Sequence, residues 1–343
     1  MLTGLLNIEL PLVQAPMAGV QGSALAAAVS NAGGLGSLPC AMLDADTMRR
    51  ELAAIRAQTD RPFNVNFFCH ATPVPDAARD ARWRESLAPY YTELGLDAGS
   101  APAGPGRATF NAATVDLLRE FEPPVVSFHF GLPDEELLAP LRAWGAKILS
   151  SATTVAEARW LEARGADAII AQGLEAGGHR AMFLSDDLTT QTGLFALLPQ
   201  MVDAVRVPVI AAGGIADVRG VRAARALGAA GVQVGTAYLL CPESTTGPLH
   251  RQALLDPQRR DSVLTNLFSG RPARGLVNRF IVERGPISDL APAFPLATAA
   301  VAPLRAKAES LGRDDFSPLW SGQNPAGCRR VGAAELTREL GRA

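Results

Sequence analysis

Short apolar or β-branched runs alternate along the chain with Ala-rich stretches whose apolar residues recur at helical spacing. That rhythm predicts βα units wrapped around a parallel sheet. Eight runs read as strands, centred on 12–14, 34–38, 63–67, 125–128, 146–149, 168–171, 208–211 and 231–234. Eight suits closure into a (β/α)₈ TIM barrel better than an open sheet. Intervening helices carry their own punctuation. Thr154-Val-Ala-Glu157 has the form of a capping box, Val155, Ala158 and Leu161 follow helical spacing, and Gly165 can close the end. Asp217 caps a second helix whose apolar side carries Val221, Ala224 and Leu227 before Gly228.

Two regions break the rhythm. Residues 70–123 are too long for one crossover helix, and Pro73, Pro75, Pro89, Pro102, Pro105 and the Ala/Gly-rich stretch 97–107 predict an irregular insertion after the third strand. After Cys241 the strand pattern ceases, and Pro-rich linkers such as Ala291-Pro-Ala-Phe-Pro295 separate helical segments. The expected organisation is a barrel over 1–242 and a mostly helical extension over 243–343, packed at the barrel mouth.

Composition narrows the function classes. With 48% hydrophobic and 19% charged residues in 343, the chain has material for a large core. A net charge of -2 and a pI near 6.1 leave no basic footprint for nucleic acid, so a small-molecule partner is expected. The N-terminus lacks a basic region before its apolar residues, and no apolar run approaches the roughly 18 residues of a membrane span, which predicts a cytoplasmic protein. Cys40, Cys69, Cys241 and Cys328 form no CxxC pair, and the four histidines form no paired-ligand spacing, so no metal site is expected.

Barrel enzymes place their chemistry at the C-terminal ends of the strands. Ala212-Gly213-Gly214 after the seventh strand, with Gly235-Thr236 after the eighth, fits a phosphate site, because glycine lets main-chain amides approach an anion. A phosphorylated substrate satisfies that pattern as well as a cofactor does. Ala15-Pro16-Met17-Ala18-Gly19 reads from its residue types first as an ordinary βα turn, and only as the alternative as main chain laid along a cofactor ring. Of Asn64 and Asn66, one can satisfy buried backbone while the other offers an amide to a ring carbonyl. The most informative segment is Gln172-Gly-Leu-Glu-Ala-Gly177-Gly178-His179-Arg180, whose glycines present Gln172 and His179 from a loop. An imidazole there can accept a proton from an acidic carbon or donate to an anionic oxygen. His129 should point into the same mouth, unless it is a satisfied core histidine. His70 and His250 fall in connecting segments and receive no role.

Six segments together resemble the nitronate monooxygenases of the bacterial class I type: Gln14-Ala-Pro-Met17, Ala32-Gly-Gly-Leu-Gly36, Asn64-Val-Asn-Phe-Phe-Cys-His70, Val126-Ser-Phe-His-Phe-Gly131, the run from Gln172 to Arg180, and Ile210-Ala-Ala-Gly-Gly-Ile-Ala-Asp217. The resemblance implies FMN at the barrel mouth and oxidation of alkyl nitronates by O2 to carbonyl compounds and nitrite. It places Pro16, Met17, Ala18, Asn66 and Gln172 at the flavin ring. Gly177, Gly178, Ala212, Gly213, Gly214, Gly235 and Thr236 would hold the phosphate, His179 would be the catalytic histidine and His129 its companion. Relatives often carry Tyr, Tyr and Lys where this chain has Phe294, Thr298 and Ala302, so the expected substrate pocket, with Phe294 and Thr298 on it, is more apolar. A monomer or homodimer is expected. The alternatives are an FMN-dependent NADH:quinone or enoyl reductase and, more distantly, a flavin-free lyase or isomerase acting on a phosphorylated substrate.

Overall fold

A computed structural model describes residues 1–97 and 109–343. Its centre is a (β/α)₈ barrel. The strands β1 (Leu12–Gln14), β2 (Gly36–Pro39), β3 (Phe63–Phe68), β4 (Val125–His129), β5 (Lys147–Ala152) and β6 (Ala168–Gln172) are followed by a two-residue strand outside the barrel, β7 (Gly178–His179). β8 (Val209–Ala212) and β9 (Gly231–Val234) complete the ring in the parallel order β1-β9-β8-β6-β5-β4-β3-β2. A bridge between Val13 and Leu35 closes it, with the Gln14 amide donating to the Leu35 carbonyl at 2.9 Å. Nearly every strand residue is buried, as helices on one face and packed side chains on the other require. The N-terminal helix Leu2–Leu6 plugs the floor, where Leu2 and Leu6 join Val13, Val125, Leu149 and Ile210.

Local signals set the crossover helices. Asp217 accepts from the amides of Arg219 and Gly220 at the start of Val218–Ala226. Thr154 accepts from the Glu157 amide at 3.2 Å, but the capping box closes only halfway. The Glu157 carboxylate binds the Thr153 amide at 2.7 Å and the Phe183 amide at 2.6 Å, fastening the segment beyond His179.

The insertion differs from the expected irregular segment. Residues Ala77–Glu93 form a helix, capped by Asp76 on the Arg79 amide at 2.9 Å, despite Pro89 in its interior. That proline costs about 3 kcal/mol in a helix interior. Trp83, Leu87, Tyr90 and Tyr91 are buried at roughly 1.5–3 kcal/mol each, which outweighs it. Pro102, Pro105 and most of the stretch 97–107 lie outside the described residues. The four side chains pack against Leu267, Phe268, Phe280 and Phe316, so insertion and extension share a second core beside the barrel.

The extension holds the helices Pro248–Leu255, Arg279–Arg284, Thr298–Ser310 and Ala333–Gly341 joined by long irregular stretches, and it also carries a hairpin that the pattern did not announce. β10 (Ser262–Thr265) and β11 (Ala273–Leu276) pair antiparallel, and β11 pairs on its other side with β7. Four-residue strands holding Ser, Thr and a buried Arg274 show no clear alternation. The last helix, Ala333–Gly341, returns to the barrel core through Leu336 and Leu340. Among the described residues no helix is long and apolar enough to cross a membrane.

Candidate active site

A cavity of about 540 Å³ opens at the C-terminal ends of the barrel strands. Pro16, Met17 and Ala18 after β1, Asn66 on β3, His129 on β4, Gln172 on β6 and Ala212 on β8 all line it. Gly177, Gly178, His179, Gly213, Gly214, Gly235 and Thr236 complete that wall. Asn66 Nδ2 donates to Ser127 Oγ at 2.9 Å, which fixes its amide, whereas Asn64 turns to Ser37 Oγ at 3.0 Å.

Gly213 and Gly214 have φ of 123° and 69°, a region in which an L side chain is strained. A Cβ at Gly213 would also stand 3.1 Å from the Ala176 amide nitrogen. Among the described residues, the amides of Gly213, Gly214, Gly235 and Thr236 donate to no protein acceptor. Four such donors on adjacent turns make an anion cradle. The extension crosses it: the Gly322 amide donates to Thr236 Oγ1 at 3.0 Å and Asn324 Nδ2 to the Gly214 carbonyl at 3.2 Å.

The loop bearing His179 is tied at every turn. Gln172 spends both ends of its amide on it, Nε2 donating to the His179 carbonyl at 3.0 Å and Oε1 accepting from the Ala181 amide at 2.9 Å. Arg180 is fully buried and donates to the carbonyls of Gly173 at 2.7 Å and Gln172 at 2.8 Å and to Gln191 Oε1 at 3.0 Å. Burial lowers its pKa to about 10, which leaves it a cation at neutral pH. The Glu175 carboxylate accepts from the Leu194 amide at 2.9 Å, at the start of the helix Leu194–Ala204. From the extension, Ala273 pairs with His179 and Arg274 with Gly178.

Two histidines meet in the cavity. His129 Nε2 lies 3.1 Å from the His179 carbonyl, which can only accept, so Nε2 carries the proton and Nδ1 accepts from Ser151 Oγ at 3.3 Å. Burial holds the His129 pKa down at about 4, so the ring is neutral at pH 7. His179 Nε2 is 2.8 Å from Ser269 Oγ. Around the His179 ring stand Phe294 at 5.2 Å, Trp320 at 5.6 Å, Phe130 at 6.2 Å and Phe68 at 6.4 Å, measured between centroids.

Phe294 and Thr298 do not line the cavity wall, contrary to the expected substrate pocket. Phe294 is drawn into a buried cluster with Phe68 and Phe130, and Thr298 Oγ1 donates to the Phe268 carbonyl at 3.0 Å. His250, given no role from the sequence, does line the cavity, hydrogen-bonded to the Trp320 backbone and with its pKa pushed down by burial to about 4. Ser151 continues the two-residue alternation of β5 from Leu149 and was legible in principle. Ser269 and Trp320 reach the site only through the fold of the extension.

The sequence model of the Nitronate monooxygenase family matches residues 1–341. The chain belongs to the nitronate monooxygenase family. A nitronate monooxygenase of Pseudomonas aeruginosa is 43% identical over 340 residues, covering 98% of this chain and 97% of the relative. A solved nitroalkane oxidase from Streptomyces ansochromogenes superposes with a TM-score of 0.90 at 42% identity, covering 99% of this chain and 96% of that one. FabK from Thermotoga maritima follows at a TM-score of 0.73 and 28% identity, with 99% and 94% covered. An oxidoreductase acting on nitro compounds is the activity that this membership supports.

Proposed function

We propose that this protein oxidises alkyl nitronates with O2 to carbonyl compounds and nitrite, using FMN held at the barrel mouth. The observation that carries the reading is the set of unpartnered amides at Gly213, Gly214, Gly235 and Thr236, on the same cavity as His179. Those four donors suit a phosphate dianion. The main chain of Pro16, Met17 and Ala18, with Asn66 and Gln172, would flank the flavin ring, and Gly177 and Gly178 would border the tail. When bound, FMN would supply the redox chemistry between the nitronate and O2; the chain supplies position and electrostatics.

His179 serves both forms of substrate. With a neutral nitroalkane the α C–H bond breaks and the proton passes to the imidazole, leaving the nitronate anion in the cavity. With a preformed nitronate no proton is removed, and the same ring donates to a nitronate oxygen only in its protonated form. His129 stays neutral and orients the loop through the His179 carbonyl. Phe68 and Trp320 on the wall, backed by Phe130 and Phe294, exclude water and favour neutral or longer alkyl chains over carboxylated ones.

A visible spectrum of the purified protein, followed by anaerobic addition of a nitronate, tests this. A yellow protein that bleaches with nitronate and regains colour in air is the expected outcome. Bleaching by NADH in place of nitronate would overturn it in favour of a reductase, and a colourless protein with a competent phosphate site would point to a lyase or isomerase. Faster turnover of propionate 3-nitronate than of a longer alkyl nitronate would sink the apolar preference.

A further inference from the structure

We propose that Ser269, brought in by the extension, is a positioning residue that fixes the tautomer and plane of His179 and steadies its imidazolium. The proposal rests on the reading of His179 given above. Ser269 is buried, and its Oγ lies 2.8 Å from His179 Nε2 across 90 residues of chain. The same oxygen is 3.3 Å from the Arg271 carbonyl and 3.5 Å from the Arg271 amide nitrogen. A hydroxyl has one proton and two lone pairs. The carbonyl can only accept, so the Ser269 proton goes there; the amide takes one lone pair, and the other faces Nε2. Neutral His179 therefore carries its proton on Nε2 and its lone pair on Nδ1. When Nδ1 takes the substrate proton, the contact with Ser269 persists unchanged, and no group has to reorient during the transfer.

The surroundings give that oxygen weight. Four aromatic rings enclose the His179 side chain, and the charges near it are mostly positive. Arg271 stacks over Phe130 at 4.2 Å and donates to the Met182 carbonyl. Arg180 and Arg274 are engaged by carbonyls, His129 is neutral, and His70 lies beyond Phe294 at 4.9 Å. The carboxylates of Glu157 and Glu175 are taken by backbone amides. Among these contacts Ser269 supplies the acceptor that an imidazolium needs.

The turn that carries Ser269 is built to hold still. Leu267 and Phe268 sit in the second core, and Thr298 Oγ1 binds the Phe268 carbonyl. Gly270 has a φ of 88°, and a Cβ there would overlap the Pro292 carbonyl oxygen. Thr298 thus serves the site through this turn.

The experiment compares the flavin-loaded Ser269→Ala, Ser269→Cys and Ser269→Thr variants with the wild type, using a neutral nitroalkane and its nitronate across pH. Losing a hydrogen bond to a charged group should lower kcat/KM for the nitroalkane about 10–100-fold in the Ala and Cys variants, with a smaller loss for the nitronate. The acidic limb of the nitroalkane profile should move to lower pH, because the protonated ring has lost its acceptor. Ser269→Thr should restore the wild-type limb. An unmoved limb in either the Ala or the Cys variant, or equal losses with both substrates, would overturn the assignment of Ser269. His179→Asn is the control: a limb that survives there would instead overturn the reading of His179 as the base.

Discussion

The turns after β8 and β9 and the loop that carries His179 meet on one cavity, yet they are held there by different means. The turns are products of neighbouring strands: Gly213, Gly214, Gly235 and Thr236 leave a closed parallel barrel whose register fixes where their amides point. The His179 loop has no such frame. It is fastened by Gln172 and Arg180 from within, by His129 from β4, and by β11 and Ser269 from the extension. Binding an anion needs only fixed dipoles, which a rigid scaffold provides. The proton transfer proposed for His179 would need a side chain set in plane and tautomer, and the contacts that hold this ring come from distant parts of the chain. The two functions should therefore fail separately when mutated.

The largest effect is expected at the ring itself. His179→Asn should keep its flavin while turnover of neutral nitroalkanes falls roughly 10²–10⁴-fold, with preformed nitronates less affected; steady-state assays on both substrates check this. Equal losses would mean that the ring binds the nitro group without taking a proton. Next comes the loop. Arg180→Met removes the Arg180 donors from the carbonyls of Gln172 and Gly173, the latter keeping only the Ala176 amide, and should cost about 2–4 kcal/mol in chemical denaturation. Activity should drop with it while the flavin stays bound.

On the barrel side, Gly213→Ala forces a side chain into a φ of 123°, a strain of about 1–3 kcal/mol. Flavin affinity, titrated by fluorescence, should weaken roughly 5–150-fold, and turnover at saturating FMN should stay near wild type. The smallest effect is acid sensitivity. His129 and His250 both have pKa values pushed from 6.5 to about 4, so below pH 6.5 the unfolded chain takes up their protons before the folded one. Stability should fall from pH 6.5 to about 4 and then level, by about 1–3 kcal/mol for each ring. His129→Gln, followed by urea denaturation at pH 7 and pH 5, should show a shallower fall.

Much of this was written in short stretches of sequence. The eight strand runs, the caps at Thr154 and Asp217 and the glycines after β8 and β9 are each decided within a few residues, and the barrel follows from their repetition. The helix Ala77–Glu93 was obscured by its prolines, because propensity cannot see the aromatic core contributed by residues 267–316. The hairpin of β10 and β11 was obscured by its shortness.

What the sequence determined alone was the barrel, the family and the wall of strand ends from Pro16 to Thr236, since side-chain period and turn chemistry are local properties. What the tertiary structure decided was the state of the histidine. Phe294 turned into an aromatic cluster, Thr298 to the Phe268 carbonyl, and Ser269 arrived at Nε2, because each answers to a partner far away along the chain. A contact of that kind has no period to read, and only the folded packing of the extension sets it.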